Sequence, residues 1–222
     1  MTVNGHCFGT AKVQKHFKTP NYISPKKGKM FIVLDCGHSK KTAGKRSPNG
    51  QFLEYEYNRK LGKAIGERLT SMGISWCFTY DTEREDDLSL TERANVANRF
   101  SKLYGSKNVI LISLHHNAAG NGKDFVKASG FEVYTTKGDT VSDKYADIVM
   151  EEAEKVLKPL GRKMRGHREY NFTVLYKTVC PSILIEYGFY TDKEEMEWMM
   201  TDEALNAFVE LTINSIERFN KI

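Results

Sequence analysis

Three short apolar runs govern what this 222-residue chain can become. Phe31-Ile32-Val33-Leu34, Val109-Ile110-Leu111-Ile112-Ser113-Leu114 and Ser182-Ile183-Leu184-Ile185 are continuous stretches of β-forming residues. Strands without polar alternation are buried on both faces, as in a parallel sheet covered by helices. Helical patterns stand between them. From about Leu53 to Met72, Leu61, Ile65 and Leu69 recur on one face. Ser89 and Glu92 spell a capping box, and Ala94, Ala97 and Phe100 continue that helix. Ser142 to Leu157 and about Glu203 to Phe219 read as two more helices, while Ile74–Tyr80, Phe131–Thr135 and Phe172–Tyr176 read as further strands. Strands alternating with helices predict an α/β fold: a single three-layer domain with a mostly parallel central sheet of about six strands and helices on both faces.

Charge is unevenly placed. The net charge is +5, yet residues 1–34 hold six lysines and no Asp or Glu, so the remainder sums to 5 − 6 = −1. A near-neutral body is no nucleic-acid groove, and no nucleic acid is expected as a partner. Residues 1–29, with Pro20 and Pro25 and no periodicity, read as a basic N-terminal arm, and 30–222 as the folded domain. The arm lacks an apolar core and is not a secretory signal. No apolar stretch approaches the roughly 18 residues that a membrane span needs, so no membrane insertion is expected. Cys7, Cys36, Cys77 and Cys180 include no Cys-x-x-Cys pair and read as buried, reduced thiols, which fits synthesis in the cytoplasm.

Ligand sites in open α/β sheets gather at the carboxyl ends of strands. His38 follows the first apolar run, His115 and His116 follow the second, and Glu186 closes the third. A carboxylate on an otherwise apolar strand must face a cation, a donor or a polar cleft. Zinc hydrolysis requires three protein ligands, an open position and a nearby carboxylate to move protons. His38 and His115 supply nitrogens, and Glu186 suits the proton carrier. The remaining ligand is sought at the start of the first helix, where Glu54 and Glu56 are turned about 200° apart and only one can face the sheet edge.

These residues resemble a family. Leu34-Asp35-Cys36-Gly37-His38, then Glu54 with Asn58, then Ser113-Leu114-His115-His116-Asn117, then Ile185-Glu186-Tyr187-Gly188-Phe189 are similar to the motifs of the zinc-dependent N-acetylmuramoyl-L-alanine amidases, which include autolysins and phage endolysins. Glu92-Arg93 with Ala97-Asn98 and the Val174-Leu175 segment before Pro181 extend the match over residues 30–217.

The resemblance implies one Zn2+ per chain, held by His38, Glu54 and His115, with Glu186 as the catalytic acid/base and Asn117 as a substrate contact. It implies bacterial peptidoglycan as substrate, cut between the lactyl group of N-acetylmuramic acid and L-alanine. The chain departs from the pattern at Cys36, where relatives often carry Pro. His167 with Lys163, Arg165 and Arg168 reads as a solvated basic turn, the alternative being a groove for a carboxylated stem peptide. A related zinc carboxypeptidase and a non-catalytic wall-binding module are the competing functions. The lack of a signal favours a phage-type lysin that acts on the wall after release. Oligomeric state is left open.

Overall fold

A computed structural model of the protein describes residues 29–222, so the arm assigned to 1–29 lies outside the described residues except for Lys29. The strands are β1 (Phe31–Cys36), β2 (Trp76–Phe78), β3 (Val109–Asn117), β4 (Phe131–Thr135), β5 (Met164–Glu169) and β6 (Ser182–Phe189). The helices are α1 (Glu54–Ser71), α2 (Leu90–Tyr104), α3 (Val141–Leu157), α4 (Thr173–Tyr176), α5 (Lys193–Met199) and α6 (Asp202–Phe219). The strands form one sheet in the order β2-β1-β3-β6-β4-β5. The first four run parallel. β4 lies antiparallel to β6 and parallel to β5.

Alternation along the strands sorts the core into two layers. Ile32, Leu34, Ile110, Ile112, Leu114, Ile183 and Ile185 pack on one face with the apolar stripes of α1, α3 and α6. Phe31, Val33, Val109, Leu111 and Leu184 pack on the other with Val96, Ala97 and Phe100 of α2 and Val174 and Leu175 of α4. Each such aliphatic side chain contributes about 1.5–3 kcal/mol when fully buried, and a one-residue slip of a strand would exchange its two faces. The three-layer expectation holds. The capping box forms as read: the Ser89 hydroxyl accepts from the Glu92 N–H, and the Glu92 carboxylate accepts from the Ser89 N–H. Cys36, Cys77 and Cys180 are free and buried; Cys7 lies outside the described residues.

One strand was expected in the wrong place. Thr173–Tyr176 is a single helical turn. Val174 and Leu175 are successive residues buried in the same layer against α2, whereas a strand would send them to opposite faces. The sixth strand is Met164–Glu169, read from sequence as a basic turn. It is an edge strand, and Arg165 and Arg168 each set Nε beside the Glu132 carboxylate in place of apolar burial, so it carries no hydrophobic alternation.

Candidate metal centre

β1 delivers the first imidazole. Beyond Cys36, the Gly37 N–H still donates to the Leu114 carbonyl, and the chain then turns at His38 with φ of 63°, the one non-glycine residue among those described in the left-handed region. Such a conformation persists where surrounding contacts over-determine it. Here they are numerous. Arg93, 1% exposed, donates from Nη1 to Asp35 Oδ1 at 2.9 Å and to the Cys36 carbonyl at 2.7 Å. Its Nε donates to the Leu88 carbonyl and its Nη2 to Asp87 Oδ1. The Tyr80 hydroxyl lies 2.6 Å from the Cys36 carbonyl oxygen and 3.0 Å from that of His38. Asp35 also accepts from the hydroxyls of Thr79 and Ser113. Burial raises the Asp35 pKa, but Arg93 and the two hydroxyls outweigh it and hold the carboxyl below its ordinary range.

Three successive residues of the loop beyond His38 meet three successive acids. Lys40 pairs with Glu85, Lys41 with Asp86, and the Thr42 hydroxyl donates to Asp87, which joins this loop to Arg93. Asp35 and Arg93 were singled out in the sequence only as parts of motifs. The available signal was a charge inside an apolar strand and another on the apolar stripe of α2.

α1 presents the carboxylate. Glu54 is its first residue and is buried, while Glu56 is exposed, so the choice between them falls to Glu54. Its Oε1 lies 3.4 Å from His38 Nε2 and 3.1 Å from His115 Nδ1, and it accepts from the backbone N–H of His116 at 3.2 Å. Burial raises the Glu54 pKa, but hydrogen bonds from His115 and His38 outweigh it and keep the carboxylate ionised well below the usual range. Burial depresses the pKa of His38 against the pull of Glu54.

One donor atom each from His38, Glu54 and His115 lies within 4.8 Å of the others. Nitrogen, nitrogen and carboxylate oxygen, gathered this closely at a partly open strand edge, suit a divalent ion of zinc's preferences.

Adjacent histidines take different positions. His116 follows the register of Ile112 and Leu114 into the core, beside Phe52, Tyr57, Tyr187 and Phe208. The Asn58 side-chain oxygen accepts from its Nδ1 at 2.8 Å. Burial drives its pKa down to about 3, so the ring stays neutral. His115 instead lies across Gly37. A Cβ on that glycine would sit 2.2 Å from the His115 ring. Gly37→Ala is therefore expected to push the imidazole away from Glu54; disturbing a ligand's supports costs roughly 10- to 100-fold in metal affinity, and zinc titration of the purified parent and variant measures it. Cys36 points its sulfur at Gly62 of α1 inside the core, and burial raises its thiol pKa.

Glu186 stands on β6 opposite His115 of β3 and opposite Glu132 of β4. Its Oε2 is buried with no hydrogen-bond partner among the described residues. Burial, then the negative charges of Glu54 and Glu132, raise its pKa well above the ordinary value. The site thus combines a metal-type donor set with a carboxyl that readily holds a proton. The Asn117 side chain is engaged within the protein: its amide donates to Glu132 Oε1 at 2.5 Å, and its oxygen accepts from the Ala118 N–H.

Residues 32–218 match the family described as N-acetylmuramoyl-L-alanine amidase. The chain is 27% identical over 188 residues to N-acetylmuramoyl-L-alanine amidase CwlM of Bacillus licheniformis, covering 84% of this chain and 67% of that protein. It is 29% identical over 185 residues to the endolysin of Bacillus phage SPP1, covering 81% and 62%. The chain therefore spans about two thirds or less of these relatives' lengths. The solved N-acetylmuramoyl-L-alanine amidase of Clostridium difficile 630 superposes with a TM-score of 0.74 at 25% identity, over 86% of this chain and 97% of that one.

Proposed function

Since the chain belongs to the N-acetylmuramoyl-L-alanine amidase family, we propose that it hydrolyses the amide joining the lactyl group of N-acetylmuramic acid to L-alanine in peptidoglycan, with zinc held by His38, Glu54 and His115. The observation that carries this reading is the convergence of those three side chains beside a strand that presents Glu186. Zinc, when bound, supplies Lewis acidity toward water and the scissile carbonyl.

The protein's own groups do the rest. Glu54, kept anionic by its two imidazole contacts, offsets the charge of the ion. Glu186 takes a proton from the attacking water and returns it to the leaving amine nitrogen, general base and then general acid. Its raised proton affinity suits it to hold that proton between the two halves of the reaction. Asn117 serves the substrate side by fixing Glu132 next to Glu186. Residues 30–222 serve as the catalytic domain, and the bacterial wall is where it acts. No helix among the described residues is long and apolar enough to cross a membrane.

Muropeptide mass spectrometry tests the reading. Zinc-loaded full chain incubated with purified peptidoglycan is expected to release whole stem peptides beginning with a free L-alanine amine. Release of single amino acids, with stems still attached to glycan, would make the protein a carboxypeptidase instead.

A further inference from the structure

The two faces of the sheet are covered unequally. Over β1, β3 and β6, one face is roofed by α2 and α4. Over β4 and β5, the same face holds buried Glu132, half-buried Tyr134 and Arg165, and exposed Arg168. Register makes this strip continuous with the candidate centre: Glu186 lies opposite Glu132, and Tyr134 lies opposite Arg168.

Glu132 is the buried keystone of the strip. Its Oε1 accepts from Asn117 Nδ2 and from the Tyr134 hydroxyl at 3.0 Å. Its Oε2 is 3.0 Å from Arg165 Nε and 2.9 Å from Arg168 Nε. One carboxylate thus faces two guanidinium groups, which leaves a net positive charge. Arg165 is further fixed over the Phe189 ring and donates toward the Ser129 carbonyl. Arg168 spends only Nε on the protein. Its side chain is 48% exposed, and its terminal nitrogens have no partner among the described residues. A guanidinium held at Nε beside a buried carboxylate, with a half-exposed side chain and its remaining donors uncommitted among the described residues, is preorganised for a second carboxylate.

Resting on the amidase reading, we propose that Arg168, braced by Glu132 and Arg165, is a specificity-determining anion subsite that binds a carboxylate of the stem peptide on the amine side of the scissile bond.

The test compares two substrates that differ in one group: a muramoyl peptide with γ-linked D-glutamate carrying a free α-carboxylate, and its α-carboxamide. Full chain loaded with zinc is expected to favour the free acid in kcat/KM by about 10- to 100-fold, the usual worth of a charge-assisted hydrogen bond, mostly through KM. In Arg168→Gln that ratio should fall toward one, and Arg168→Lys should restore part of it. Equal use of both substrates by the unmodified protein, or an unchanged ratio in Arg168→Gln, would overturn the subsite. If neither substrate is cut, the amidase reading fails first, and a binding arm decides the subsite by itself. The tripeptide L-alanyl-γ-D-glutamyl-L-lysine should then bind the full chain more tightly than its glutamyl α-carboxamide by calorimetry, with the difference lost in Arg168→Gln. Equal binding of acid and amide rejects it.

Discussion

Glu186→Gln will keep its zinc and lose its turnover. The substitution preserves shape and replaces a carboxyl by an amide that cannot carry a proton from water to amine. General acid–base groups contribute about 10²–10⁴-fold, and a loss of that size is expected on peptidoglycan. Zinc content should stay near one per chain, because none of the three gathered donor atoms belongs to Glu186. Stability follows from the sign of its pKa shift. In the metal-free protein the folded state holds the Glu186 proton more tightly than the unfolded chain does. Between the unfolded value, about 4.3, and the higher folded one, the native state therefore binds more protons, and stability falls as pH rises. Glu186→Gln should flatten that decline and melt no lower than the parent at neutral pH. Wall-lysis turbidity, metal analysis and melting curves at several pH values measure the three parts. Activity within tenfold of the parent would remove Glu186 from the mechanism.

His115→Ala should lose both metal and activity. His115 is one of three donors, and its imidazole is also a main hydrogen-bond partner of the buried Glu54 carboxylate. Without it, Glu54 keeps His38 and the His116 N–H, and two protein ligands fall short of the three that catalytic zinc sites use. Zinc should drop well below one per chain at micromolar metal, with lysis reduced to background. Circular dichroism should show a folded protein, since His115 lies half-buried near the carboxyl end of β3 and the neighbouring His116 carries the core packing. A fully active, zinc-free His115→Ala protein would refute the ligand set.

Much of this was legible because the chemistry sits where the hydrophobic pattern stops. His38, His115 and Glu186 each break or end an apolar run, and the strand-end rule brings such positions together once the strands are neighbours, as β1, β3 and β6 are. Helical phase separated Glu54 from Glu56 but did not choose between them. The structure chooses by burial. What escaped was order that owes little to apolar burial. Met164–Glu169 pairs with β4 through backbone hydrogen bonds and ion pairs, so a period-2 apolar search passes over it. Phe172–Tyr176 mixes aromatic and branched residues like a strand, yet contacts with α2 need Val174 and Leu175 on one side. Helix α5 was missed although Asp192 caps it, accepting from the Glu194 and Glu195 N–H groups. The Arg93–Asp35 pair was visible only as two charges in apolar settings, and its role at the His38 turn required the third dimension.

The ladder between residues 40–42 and 85–87 has a consequence for salt. Its rungs differ in depth: Lys40–Glu85 and Lys41–Asp86 stand in solvent, whereas Asp87 bridges Thr42 to the enclosed guanidinium of Arg93. Added electrolyte shortens the Debye length from about 8 Å in physiological buffer to about 3 Å at 1 M and acts first on exposed charges. Brine should thus loosen this loop from its rim inward, while the innermost rung keeps the His38 turn anchored.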